Sequence, residues 1–215
     1  PSNNIMQQQL PENLLKAEEQ LFLALNNASS ANISDRISIN IKLEGLRILP
    51  VLLRLQRNIH KQNIPAILLW PDAGATALAK RDAPDLAQSI MSFSDLLRNK
   101  EINLEKSLII AASPQPYDYE EFELICTQSN NQMIMINGKL DDSAVGIGSV
   151  ARERRRNFIS KWQNIYWLEP ITKGALFHCY PEDWKLFRLD NDGYRFFKNF
   201  EKRPSSDELF ESFLE

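Results

Sequence analysis

The chain reads as an α/β protein in which a mostly parallel, helix-covered, Rossmann-like sheet is extended by a C-terminal antiparallel meander. Three observations predict this. Short apolar runs at 64–70, 107–112 and 133–136 have the length of strands and are apolar on both faces, as strands buried inside a parallel sheet must be. Helical spacing separates them, over 73–80, within 85–98 and over 117–128, which is the alternation that parallel crossovers need. After Ile165 the pattern changes to strand-like runs at 165–168, 175–180, 184–189 and 194–197, joined by short turns such as Asn191-Asp192-Gly193.

The remaining elements follow in order. Residues 1–10 form a polar tail rich in Asn and Gln, and a single domain is expected over 11–215. Pro11 suits a first helical position, and Leu14, Leu15, Glu18, Leu21, Phe22 and Leu25 give an amphipathic helix ending near Asn26-Asn27. Ile37, Ile39, Ile41 and Leu43 alternate with polar residues, which predicts a strand toward a sheet edge. Residues 46–61 read as a helix that tolerates Pro50 only in its first turn. The arginine-rich segment reads as a helix over 149–161, and Ser205-Ser206-Asp207 caps a short acidic C-terminal helix carrying Leu209, Phe210 and Phe213.

Composition limits the function classes. A net charge of −3 disfavours general nucleic-acid binding and leaves the arginines as a local patch. Cys126 and Cys179 are far apart, without CxxC or Cys/His ligand spacing, so neither a disulfide framework nor structural zinc is expected. His60 and His178 are the only histidines, and no HExxH, GxxxxGK[ST] or nucleophile-elbow pattern occurs. No catalytic residue, metal or cofactor is therefore assigned. No apolar run approaches the roughly 20 residues of a membrane-spanning helix.

The candidate sites lie in two places. Arg152, Arg154, Arg155 and Arg156 crowd the start of the helix predicted from Ser149, where each cation opposes the helix dipole by about 0.3–1 kcal/mol. An anion is expected nearby, and it is either an external ligand or partner or the chain's own Asp141, Asp142 and Glu153. On a helical wheel Arg154 and Arg155 lean toward the apolar stripe of Val150, Ala151, Phe158, Ile159 and Trp162, whereas Arg152 and Arg156 point outward. Gly146, Gly148 and Ser149 precede these arginines, and Gly146 to Ala151 matches G-x-G-x-x-A. A dinucleotide motif would follow the first strand directly, so a glycine-permitted turn is the better reading. The second place is the C-terminal ends of the parallel strands, which would gather Asp72, Gly74, Ser113, Gln115 and Asn137. The competing reading makes Asp72 a helix cap and the others turn formers. Trp162, Tyr166, Trp167 and Trp184 are read as core or rim aromatics rather than stacking platforms for bases.

Four blocks carry a resemblance: residues 71–82 (PDAGATALAKRD), 137–170, 176–184 (LFHCYPEDW) and 203–209 (RPSSDEL). Together they resemble the DUF1995 family of cyanobacteria and chloroplasts, over nearly the whole chain. That family includes a plant assembly factor of the low-photosystem-II-accumulation type and occurs fused to a chloroplast adenylate kinase. The resemblance implies photosynthetic biogenesis, with photosystem subunits or assembly intermediates as partners, and it carries over no catalytic residues. It implies a cytoplasmic or thylakoid-peripheral place in a cyanobacterium, or the stroma in a chloroplast. Because no Arg/Ser-rich transit peptide precedes the domain, a cyanobacterial, plastid-encoded or trimmed mature protein is expected. The leading expectation is a non-enzymatic assembly factor that binds a protein through the arginine-rich helix. The alternative is an enzyme or sensor that binds a phosphorylated small molecule at the strand ends, using Arg154, Arg155 and the 146–149 turn. Attachment to anionic thylakoid lipid is a weaker third reading, opposed by the acidic balance.

Overall fold

The computed structural model describes residues 9–99, 102, 104–141, 146 and 148–215. Most of the predicted tail, Asp142 and Ile147 of the glycine motif lie outside the described residues. The chain divides into two compact units: 1–31, 41–44 and 165–215 form one, and 32–40 and 45–164 form the other.

The larger unit holds the parallel strands. They are β1 (Arg36–Ile41), β2 (Ala66–Trp70), β3 (Ile90–Ser92), β4 (Leu108–Ala112) and β5 (Met133–Ile136), in the spatial order β3-β2-β4-β5-β1. Leu68 pairs with Ile110 and Ile110 with Ile134, so the three apolar runs are adjacent parallel strands as predicted. Among the described residues five α-helices accompany them: α2 (Ile48–Lys61), α3 (Ala73–Asp82), α4 (Phe93–Arg98), α5 (Tyr119–Gln128) and α6 (Ser149–Asn157). Pro50 lies in the first turn of α2, where its missing N–H breaks no helical bond. One face of the strands (Leu69, Ile109, Ala111, Met133, Met135) packs against Phe93 of α4, Tyr119, Phe122, Ile125 and Cys126 of α5, and Phe158. Such strands are apolar on both faces because helices leave neither to water.

β3 departs from the expected reading. Residues 85–98 do contain the predicted helix, α4, but it is preceded by a 3-10 turn, Pro84–Ser89, and by Ile90–Ser92, an unforeseen strand pairing in parallel with β2. The helix then starts from Ser92, whose hydroxyl accepts from Asp95 N–H while the Asp95 carboxylate accepts from Ser92 N–H.

The smaller unit contains α1 (Leu14–Ala31) and the meander β6 (Gln163–Ile171), β7 (Gly174–Cys179), β8 (Trp184–Asp190) and β9 (Gly193–Phe200), each strand antiparallel to the next. α1 runs several residues past the predicted stop at Asn26-Asn27, since Ala28 is still buried. The Tyr166 hydroxyl donates to the Gln20 side chain of α1 at 2.9 Å. α7 (Ser206–Ser212) begins at Ser205, which forms the predicted cap as a full capping box with Glu208. Its Leu209 packs on Trp167, Leu176 and Trp184.

Candidate functional site

The arginine-rich helix is shorter than predicted. α6 runs from Ser149 to Asn157, Phe158 leaves helical geometry at φ −129, and Ile159–Lys161 forms a 3-10 turn. The break delivers Phe158 and Trp162 into an aromatic cluster. Trp162 stacks on Phe122 at 5.6 Å, and Phe158 meets Tyr119 and Phe122 edge-on at 5.4 and 5.9 Å.

The stop changes the electrostatics. Arg154, Arg155 and Arg156 now occupy the last turn, where unpaired carbonyls favour cations, so only Arg152 lies near the unfavourable end. Arg154 is partly buried as expected. Its guanidinium lies 4.3 Å from the centre of the Tyr119 ring and 3.7 Å from the Glu120 carboxylate. Arg155 does not lean into the core; it is exposed and donates to the Gly146 carbonyl at 3.0 Å. That contact closes the helix onto the turn before it, and Gly146 sits at φ +111, a conformation that favours glycine. Gly148 is the N-cap and makes no side-chain cap. Arg152 and Arg156 are exposed, one turn apart, with no ion pair between either guanidinium and the described residues; Glu153 is exposed beside them. Val150, expected in the apolar stripe, is 61% exposed.

The strand-end candidates do gather at one edge. β2 connects outward to β3 while β4 connects the other way to β5, so the ends of β2 and β4 flank a topological switch point. Asp72 and Gly74 follow β2, Ser113 and Gln115 follow β4, and Asn137 follows β5. All but Gly74 also have a local task. The Asp72 carboxylate accepts from Ala75 N–H at 2.7 Å and caps α3. Gln115 donates its amide to the Ser113 carbonyl at 2.8 Å, and its N–H donates to Asp118 at 2.8 Å. Ser113 and Asn137 turn the chain at φ +48 and +52, and their N–H groups extend the ladder to Ile136 and Ile39. Acidic residues follow these strand ends in sequence, Asp72 after β2 and Asp118, Glu120 and Glu121 after β4, with Arg154 3.7 Å from the Glu120 carboxylate. Burial, reinforced by Asp118 and opposed by Arg98, holds the Glu121 carboxyl above its usual range. Tyr119 is also pushed up, first by burial and then by donating to Glu123 at 3.0 Å, with Arg154 acting in the opposite sense.

Sequence patterns did not expose one further cluster. Across β6, β7 and β8 the residues Trp167, His178 and Trp184 fall in line on one face, with His178 stacked on Trp184 at 4.6 Å. Lys42 and Arg203 approach the Trp167 ring at 4.4 and 4.1 Å, and Lys42 also pairs with Glu169 at 3.2 Å. Lys185, almost fully buried, pairs with Glu182. The run 165–168 in β6 is apolar and buried without alternation, so it singles out no aromatic face, and no local pattern points to cations 125 and 36 residues away in sequence, by the difference of their numbers from Trp167.

Among the described residues no group of three or more His, Cys, Asp or Glu is placed to hold a metal ion, and no helix is long and apolar enough to cross a membrane. Comparison with curated proteins finds no match. The sequence model of one family does match, over residues 11–211 and thus nearly the whole of both units; the chain belongs to the family described as a domain of unknown function, DUF1995.

Proposed function

We propose that this chain is a non-enzymatic accessory or assembly factor for photosynthetic complexes that docks a protein partner through α6. The observation that carries the reading is the pair Arg152 and Arg156. Like charges one turn apart on a helix cost a few tenths of a kcal/mol; the last-turn carbonyls favour Arg156, but neither guanidinium makes an ion pair with the described residues. An acidic partner surface offsets that cost, and exposed Val150 supplies an apolar contact beside it. Arg154 and Arg155 serve a different purpose on this reading: through Tyr119, Glu120 and Gly146 they hold the helix in place. Photosystem subunits or assembly intermediates are the proposed partners, in the cytoplasm or at the thylakoid surface of a cyanobacterium, or in a stroma.

The alternative, a phosphorylated small molecule at the strand ends, is favoured by the switch point between β2 and β4. The carboxylates of Asp72, Asp118 and Glu120 disfavour a phosphate there. Affinity capture of the tagged chain from a photosynthetic host tests the docking reading. Wild type is expected to recover photosystem subunits, and the folded Arg152→Glu/Arg156→Glu variant to lose most of them, with lower salt sensitivity. Recovery of the same complexes by that variant removes α6 as the docking site.

A further inference from the structure

The C-terminal helix carries apolar side chains on two sides. On the inner side Leu209 packs against Trp167, Leu176 and Trp184, and buried Ser212 donates to the Glu208 carbonyl at 2.7 Å. On the outer side Asp207, Phe210 and Glu211 follow one another at i, i+3 and i+4, which places them on one face, and Leu214 follows in the turn past the helix end, where its N–H donates to the Glu211 carbonyl at 3.0 Å. Phe210 is 67% and Leu214 68% exposed. A helix apolar on both sides is ordinarily buried on both.

Charge restricts what can cover the outer side. Residues 204–215 contain Asp207, Glu208, Glu211 and Glu215 and no lysine or arginine. Glu208 is committed to the capping box and Glu215 pairs with Lys198 at 3.2 Å, whereas Asp207 and Glu211 make no ion pair among the described residues. Nucleic acid and anionic lipid are repelled by such a face. A second copy docked symmetrically would oppose the same carboxylates to each other. We infer that α7 is a docking helix whose Phe210 and Leu214 insert into an apolar groove of a partner protein rimmed by lysine or arginine opposite Asp207 and Glu211. An exposed aromatic anchor on the helix with a second apolar side chain just past its end and charged flanks suits the way amphipathic helices occupy grooves. This inference is independent of α6.

The test places a photo-crosslinking phenylalanine analogue at position 210 of the full chain, expressed in its native host, with the same analogue at exposed Leu15 as background. The expected result is a discrete protein adduct specific to position 210, with lysine or arginine in the crosslinked peptide of the partner. Its yield should fall about tenfold or more in an Asp207→Lys/Glu211→Lys background, while circular dichroism and melting temperature stay unchanged. No adduct, an adduct only to lipid or to another copy of this chain, or a yield indifferent to charge reversal overturns the inference.

Discussion

Cys126 shows how burial alone sets the chemistry of a side chain in this protein. It is a buried residue of α5, with its sulfur 3.3 Å from that of Met133. Burial pushes the thiol up to about 12, Arg36 pulls it the other way, and Glu123 adds to the rise. The unfolded chain loses this proton near pH 8.5 while the folded chain keeps it. Between those values the native state binds more protons than the unfolded state, so stability present at neutral pH is lost as pH rises toward 12, by at most about 1.4 kcal/mol per pH unit from this group. Denaturant titrations from pH 8 upward should show a shallower alkaline decline in Cys126→Ala than in wild type. Tyr119 and Tyr166, also raised by burial, contribute equally to both, so parallel slopes would refute the assignment. Gly174 gives a steric counterpart. A Cβ there would lie 1.8 Å from the Phe187 carbonyl oxygen, a backbone atom that has no rotamer to escape into. Gly174→Ala should therefore cost about 3 kcal/mol or more in equilibrium unfolding, and a loss below about 1 kcal/mol would show that the β7–β8 ladder gives way easily.

At the scale of elements, α6 separates anchoring arginines from presenting ones. Arg154→Ala removes the contact with Tyr119 and the pair with Glu120 and should destabilise by about 0.5–1 kcal/mol. Arg156→Ala, with no comparable contact, should stay within about 0.5 kcal/mol of wild type. Equal losses in thermal unfolding would erase the distinction. The same helix shows where sequence reasoning stops. A wheel drawn through Trp162 puts Arg155 between Ile159 and Trp162, but that holds only for an unbroken helix. Once Phe158 leaves helical geometry, Ile159 and Trp162 no longer share a face with Arg155, which turns to Gly146 instead. Arg152 and Arg156 were legible as outward residues because they lie wholly within the helix. β3 was hidden for a related reason. Leu86, Ile90, Phe93 and Leu97 repeat at helical spacing, so three strand residues disappear into a helical pattern, and only the Ser92–Asp95 capping pair marks the restart. β2, β4 and β5 were legible because strands covered on both faces are apolar without interruption.

At the scale of the whole molecule, the histidines and cysteines that would bind a metal are already engaged in the fold, whereas Arg152 and Arg156 stay exposed. His60 is 3.1 Å from the Ala66 carbonyl, His178 stacks on Trp184, and both cysteines are buried. The strand ends present carboxylates, with Asp72 already serving as the acceptor at the start of α3. A ligand that binds only the native state raises stability by RT ln(1 + [L]/Kd), which is about 2.7 kcal/mol at a hundredfold excess over Kd. The docking reading therefore predicts a melting temperature unmoved by EDTA and by millimolar inorganic phosphate or ATP, because nothing saturable is removed or added. The strand-end reading predicts a saturable rise with one of the phosphate compounds, abolished by Ser113→Glu, which adds a further negative charge at the switch point. A saturable rise of several degrees would transfer the function from the surface of α6 to the end of the sheet; a fall with EDTA would mean that a metal contributes to the fold.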